Sequence, residues 1–283
     1  MKKLTITAAA ALCATLAVNA EGVESGIVGY QTTTVTRPNK KTFALQYESI
    51  QNPGQAVNIA DLFPGTTFKA GASWGAADQI WAWDATANNW AKYAYYENKR
   101  VSPAIPAGWY KYNFLTDNSF TPVTEDDVVQ PGQTFLYIRN QSGSIELVMS
   151  GMVKDMTDAT QSVSVTRPNK VFMAYPWPVD LKIAEISTKA THSNLKAGAS
   201  WGAADQVWAW DASANNWAKY AYYENKRVSP ALPAGWYKYN FLTDKSFVAV
   251  TDDDKVGPGE GFLYIRNASG TNVITWNALQ SAE

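Results

Sequence analysis

The chain contains most of itself twice. Lys69–Gly143 and Lys196–Gly270 align without a gap and are identical at 63 of 75 positions. Upstream, Val35-Thr36-Arg37-Pro38-Asn39-Lys40 recurs as Val165-Thr166-Arg167-Pro168-Asn169-Lys170, and Ser25-Gly26-Ile27-Val28 is echoed by Ser150-Gly151-Met152-Val153. A repeat of this kind constrains the architecture before any local pattern is considered. Each unit is the size of one domain, whereas solenoid repeats are shorter and normally come in threes or more. The expectation is two homologous domains in tandem, 25–149 and 150–283, joined near the polar run Lys154-Asp155-Met156-Thr157-Asp158. Identity this strong cannot by itself mark functional residues. The copies diverge in Lys41–Phe68 against Val171–Leu195, so any difference in what they contact belongs there.

Within each unit the apolar pattern has the period of strands. Trp81-Ala82-Trp83 and Tyr110-Lys111-Tyr112-Asn113-Phe114 alternate, as a half-buried strand requires. Strands are expected over Thr32–Thr36, Thr42–Tyr47, Gln79–Asp84, Trp90–Tyr96, Trp109–Phe114, Thr134–Arg139 and Ile145–Met149. Turn formers such as Asn88-Asn89, Pro106-Ala107-Gly108 and Pro131-Gly132 separate them. A helical turn or two fits only Val57–Phe63 and its match Leu181–Ile186. The fold class is therefore all-β: two tandem sandwich- or barrel-like domains with at most a short helix each.

Residues 1–20 have the organisation of a signal peptide. Lys2-Lys3 is followed by the apolar run Ala8–Val18 and by Val18-Asn19-Ala20, with small residues at the cleavage positions. The run is too short for a permanent span. The protein is thus expected to be exported to the periplasm, cell surface or exterior, without membrane insertion. Cys13 is the only cysteine and lies in that segment, behind Leu12 where a lipoprotein signal wants a small residue. Removing Lys2 and Lys3 from the 24 basic side chains leaves 22 against 25 acidic ones. That balance argues against nucleic acid and anionic membranes as partners.

Two further elements carry a resemblance. Gly26-Ile27-Val28-Gly29-Tyr30 stands near the start, and Pro258-Gly259-Glu260-Gly261-Phe262, followed by Asn267 and a closing strand, stands near the end. Together they resemble uncharacterised exported bacterial β-domain repeat proteins, which open with Val-Gly-Tyr and close with a Pro-Gly-Glu-Gly-Phe turn. The resemblance covers both copies, although the first departs from it at Pro131-Gly132-Gln133-Thr134-Phe135. It implies export and β structure and carries over no site.

Candidate chemistry is sparse. His192 is the only histidine, which removes His-rich metal sites and leaves at most one Ser/His arrangement. Ser73 and Ser200 sit in Gly-x-Ser-x-Gly, but a strand follows where a nucleophile elbow needs a helix, so a small-residue loop is expected. Asp84 and Asp211 each end a Trp-Ala-Trp strand. One aspartate from each of two related halves is how an aspartic peptidase shares a proton between carboxyls, although the usual Asp-Thr/Ser-Gly glycine is missing in both copies. The alternative for the pair is an Asx turn at a hairpin end. Glu125-Asp126-Asp127 and Asp252-Asp253-Asp254 lack the spacing of a calcium loop and are expected to be solvated acidic turns. No metal site and no cofactor are expected.

The strongest signal is aromatic, with 12 Trp and 15 Tyr in the chain. Such rings combine a flat apolar face with a polar edge, which suits stacking on sugars. The candidate ligand-binding residues are Trp81, Trp83, Trp90, Tyr93 and Tyr95 in the first copy, and Trp208, Trp210, Trp217, Tyr220 and Tyr222 in the second. On the central strand Trp81 and Trp83 share one face, and Ile80, Ala82 and Asp84 the other. Either face could be the buried one. The leading expectation is a non-catalytic exported binding protein for glycan or glycoprotein. A secreted acid peptidase using Asp84 and Asp211 on glycoproteins such as mucins is one alternative, and a structural envelope protein is another.

Overall fold

Strand alternation sorts the side chains of each repeat between two sheets. The computed structural model describes residues 28–48, 56–153 and 162–277, apart from positions 38, 85, 86, 88, 116, 131, 168, 178, 212, 228–230 and 241–243. The expected signal peptide and the polar run around Asp155 lie outside the described residues. The first repeat supplies β1 (Val28–Thr36), β2 (Lys40–Ala44), β3 (Tyr47–Glu48), β4 (Val57–Asn58), β5 (Gln79–Asp84) and β6 (Asn89–Asn98). It continues with β7 (Ile105–Asn113), β8 (Ser119–Pro122), β9 (Val128–Val129), β10 (Thr134–Ile138) and β11 (Ser144–Val153). A six-stranded sheet runs β2-β10-β5-β6-β7-β8, a three-stranded sheet runs β1-β11-β3, and β4 pairs with β9. The main core lies between the first two: Phe43, Ile80, Ala82, Tyr93, Phe135 and Tyr137 from one meet Val35, Ile145, Leu147 and Met149 from the other. Each repeat is a sandwich, and the molecule is all-β as expected.

The second repeat reproduces this plan with β12 (Ser162–Thr166), β13 (Asn169–Ala174), β14 (Leu181–Lys182), β15 (Ala190–His192), β16 (Gln206–Asp211) and β17 (Asn216–Asn225). They are followed by β18 (Leu232–Tyr239), β19 (Phe247–Ala249), β20 (Lys255–Val256), β21 (Gly261–Arg266) and β22 (Thr271–Trp276). The expected boundary at Met149 falls inside a strand. Residues Ser150 to Met152 pair with Tyr30 to Val28 in the first repeat's own sheet, so Ser150-Gly151-Met152-Val153 closes the first domain instead of opening the second.

The copies part ways after a shared landmark. The Ile59 and Ile183 amides donate to the carbonyls of Asp127 and Asp254, both at 2.9 Å, and each isoleucine opens a short 3-10 turn. From there to the shared lysine, Lys69 or Lys196, the second copy is three residues longer. The longer segment forms a four-residue helix, α1 (Ile186–Lys189), and β15, which adds to β22.

One buried ion pair per domain holds the last hairpin to the central strand. Asp205 accepts from Arg266 and from the Tyr264 hydroxyl at 2.8 Å through one oxygen, and from the Asn267 and Ala268 amides at 2.9 and 3.0 Å through the other. Asp78 does the same with Arg139, Tyr137, Asn140 and Gln141. A buried carboxylate this saturated is held in one geometry, and it is a structural group.

Candidate functional site

The alternation of β5 decides where its tryptophans go. Ile80 and Ala82 enter the domain core, which puts Trp81 and Trp83 on the outer face of the six-stranded sheet. That face meets the other copy. Trp83 is only 3 % exposed, because Phe172 of β13 lies 5.6 Å from it, as well as 4.4 Å from Trp90 and 6.1 Å from Trp217. Trp210 is 9 % exposed and packs edge-on against Trp217 at 5.3 Å. Leu263 and Val171 complete this seam. A pseudo-twofold pair of lysines flanks it, with Lys40 4.6 Å over the Trp210 ring and Lys170 5.9 Å over Trp83, as cation–π attraction favours.

The seam is locked by polar contacts that the two copies make differently. Gln46 donates to the Tyr175 and Trp177 carbonyls, both at 2.8 Å, and accepts from the Gly259 amide at 2.7 Å. The Ala44 amide reaches the Gly259 carbonyl at 2.8 Å, and Lys41 pairs with Glu260 at 2.6 Å. The Pro-Gly-Glu-Gly-Phe turn is thus a docking element for the first copy. Gly259 takes φ +69, and a Cβ on Gly261 would stand 2.1 Å from the methyl of Thr134. The first copy's departure from the motif at Gln133-Thr134 therefore supplies the bulk that Gly261 makes room for.

Of the ten aromatic candidates, the fold gathers the six tryptophans on the sheet faces that meet at the seam and disperses the four tyrosines. Trp81, Trp90, Trp208 and Trp217 keep part of their surface in solvent, and Lys92 and Lys219 lie 4.4 Å over Trp81 and Trp208. Asn39, Lys40, Asn140 and Asn215 line a cleft of about 250 Å³ between the copies. Tyr93 and Tyr220 are buried at 3 % exposure, with their hydroxyls donating to Asp127 and Asp254 at 3.1 and 3.0 Å. This takes them off any ligand-facing surface. Tyr95 packs on Phe68 and Trp109, at 5.2 and 5.5 Å.

The other motifs resolve into local structure. Asp84 accepts from the Ala87 amide at 2.9 Å. Asp211 accepts from the Ser213 hydroxyl at 2.6 Å and the Ser213 and Ala214 amides at 2.9 and 3.0 Å, which hold its carboxyl below the usual range. The Asp211 bond to the amide two residues on makes an Asx turn, and Asp84 is likewise engaged by its own strand end. Moreover, the alternation that turns Trp83 and Trp210 towards the seam turns both aspartates to the opposite faces. Asp127 and Asp254 correct the expectation of solvated acidic turns. Burial pushes their carboxyls up, but Lys111 or Lys238 at 2.8 Å, the Thr124 or Thr251 amide and the tyrosine hydroxyl bring them below the ordinary value. Around Ser73 and Ser200 the first glycine is dictated by packing, since a Cβ on Gly71 or Gly198 would lie 2.3 Å from a backbone nitrogen. Among the described residues no cluster of His, Cys, Asp or Glu could hold a metal ion, and no helix is long and apolar enough to cross a membrane.

Sequence reasoning missed one site. Beside α1 and β15 the second copy has an open cavity of about 630 Å³, whose wall includes Thr191, His192, Asn194, Lys196, Tyr222 and Asn277. His192 is fixed by both ring nitrogens: Nε2 bonds the Ile186 carbonyl at 3.1 Å and Nδ1 meets the Asn272 amide nitrogen at 3.1 Å. A carbonyl only accepts and an amide NH₂ only donates, so the ring is neutral with its proton on Nε2. Burial holds its pKa below the ordinary 6.5. The signals were the lone histidine and the longer segment. Comparison with known proteins finds no matching family model and no similar curated sequence.

Proposed function

We propose that the protein is an exported, non-catalytic binding protein whose tandem modules recognise glycan or glycoprotein. One observation carries this reading: four partly exposed tryptophans, two from each copy, stand on the two sheets that the seam fixes to each other, with an ammonium group over each of Trp81 and Trp208. Flat apolar rings flanked by hydrogen-bond donors are what a sugar presents a partner for, through its C–H face and its hydroxyls. A rigid pair of modules also loses less freedom on binding than two tethered ones. Export rests on residues 1–20. The Asp84 and Asp211 carboxyls of the peptidase reading are engaged in local turn hydrogen bonds, which favours binding over catalysis.

The test is a glycan array probed with the mature chain and with the Trp81→Ala/Trp208→Ala double variant. Binding to a defined glycan class by the first, lost in the second at unchanged melting temperature, is expected. A mature chain that binds no glycan or glycoprotein sinks the proposal.

A further inference from the structure

The cavity beside His192 exists because the second copy changed the side chains that fill the same place in the first. There Phe68 packs on Tyr95 at 5.2 Å and on Trp109 at 5.2 Å. Counted back from the shared lysine, its counterpart is Leu195, and the counterpart of Tyr95 is Tyr222. The smaller Leu195 leaves the Tyr222 ring on the cavity wall. Around it the longer segment places hydroxyls and amides where the first copy has Phe63-Pro64-Gly65. The walls are braced from within: Thr191 donates to Asn277 at 3.1 Å, the Asn277 amide donates to the Thr188 carbonyl at 3.1 Å, and the Asn194 amide donates to the Ser269 carbonyl at 3.1 Å. Behind them the His192–Asn272–Tyr264 chain, with Asn272 donating to Tyr264 at 3.0 Å, ties the cavity floor to the buried Asp205–Arg266 pair. The first copy has Ile145 in place of Asn272, and no such chain.

A preformed cavity of this size is typical of small-ligand sites, but those are mostly apolar with a few polar groups. This wall is the reverse, mostly hydroxyl and amide with one aromatic ring. Among the described residues the Tyr222 hydroxyl and the Lys196 ammonium have no hydrogen-bond or ion-pair partner. Lys196 is the wall's only charged side chain, because His192 is neutral. The fit is to a hydroxyl-rich ligand that is neutral or anionic.

We infer that the second copy carries a pocket for a single sugar unit, held by Tyr222, Lys196 and the polar rim, which the described residues of the first copy do not form. This rests on the glycan-binding reading and gives it a stoichiometry of one such pocket per chain. The duplicated tryptophans are then a second contact surface that binding also requires, and the two copies are specialised: one fills its groove with Phe68, the other keeps it open.

The lone histidine provides a reporter within the wall. The mature chain is titrated with free hexoses, N-acetylhexosamines and hexuronates while the His192 imidazole is followed by NMR. Saturable movement of that signal by at least one sugar is expected, with one site per chain. Leu195→Phe restores the first copy's residue, so the fold has a precedent for it, and it should weaken binding at least tenfold at unchanged melting temperature. Tyr222→Phe keeps the ring and should weaken binding severalfold. No response at His192 to any sugar class, or full affinity in Leu195→Phe, overturns the pocket. Array binding that persists in Leu195→Phe but is lost in the double tryptophan variant would overturn the pocket while leaving the broader reading intact.

Discussion

The Phe172 ring of the second copy lies 4.4 Å from Trp90 of the first, at a position where the first copy has Thr42. Two near-identical sheet faces are thereby joined by an unequal contact. Phe172 is 7 % exposed and touches Trp83 as well as Trp90, so it fills the space that the symmetric tryptophans leave. Phe172→Ala should cost roughly 3–5 kcal/mol, as buried Phe truncations do. Trp83 and Trp90 would also gain water, read as a red shift of tryptophan emission. A loss below about 0.5 kcal/mol, in the range of ordinary surface substitutions, would mean that the seam is held by its polar contacts alone.

Gly261 and Thr134 make a second unequal contact, and here the asymmetry can be reversed. Giving Gly261 the first copy's residue, Gly261→Thr, places a Cβ 2.1 Å from the Thr134 methyl, which a packed interface cannot absorb. The expected result is separation of the copies, seen as a larger radius of gyration in small-angle scattering. Thr134→Gly in the same chain should restore the wild-type radius, since it vacates the space. If Gly261→Thr alone keeps the wild-type radius, the seam tolerates the bulk and the motif's second glycine has another cause.

The strands were legible because each repeat states its period twice. Gln79–Asp84, for instance, runs over the residues its alternation marks. The same alternation separated Ile80 and Ala82 from Trp81 and Trp83 correctly, yet it offered only core or solvent for the tryptophans. Their actual cover is the other copy, and a pattern within one strand carries no information about a partner sheet. The polar Asp127 was misread for a related reason. Its burial depends on Lys111 and Tyr93, 16 and 34 residues away, and short-range charge patterning does not see them. The cavity was half legible: the divergent segment located it, but the loss of Phe68's bulk becomes meaningful only once Tyr95 and Tyr222 are placed beside it.

His192 makes the second domain's stability depend on pH in a window that no other side chain type shares. Its folded pKa lies below the ordinary 6.5 because of burial, with the Asp205 and Arg266 charges acting in opposite directions. The unfolded chain therefore takes up a proton as pH falls through 6.5 while the folded chain does not, which favours unfolding. The His192 contribution is fully present above pH 6.5 and declines as pH falls towards the folded pKa. Carboxylates titrate near pH 4 and lie below this range. Protonation would also set a charged imidazole against the Asn272 amide, a donor that Nδ1 accepts from when neutral. Urea unfolding at pH 7.5, 6.5 and 5.5 should show little change over the first step and a clear loss of stability over the second in the wild type. His192→Gln should be less stable at pH 7.5 yet nearly flat across the same three points. Equal slopes in the two proteins would mean that the imidazole is not the titrating group and that the neutral, doubly bonded ring described above is wrong.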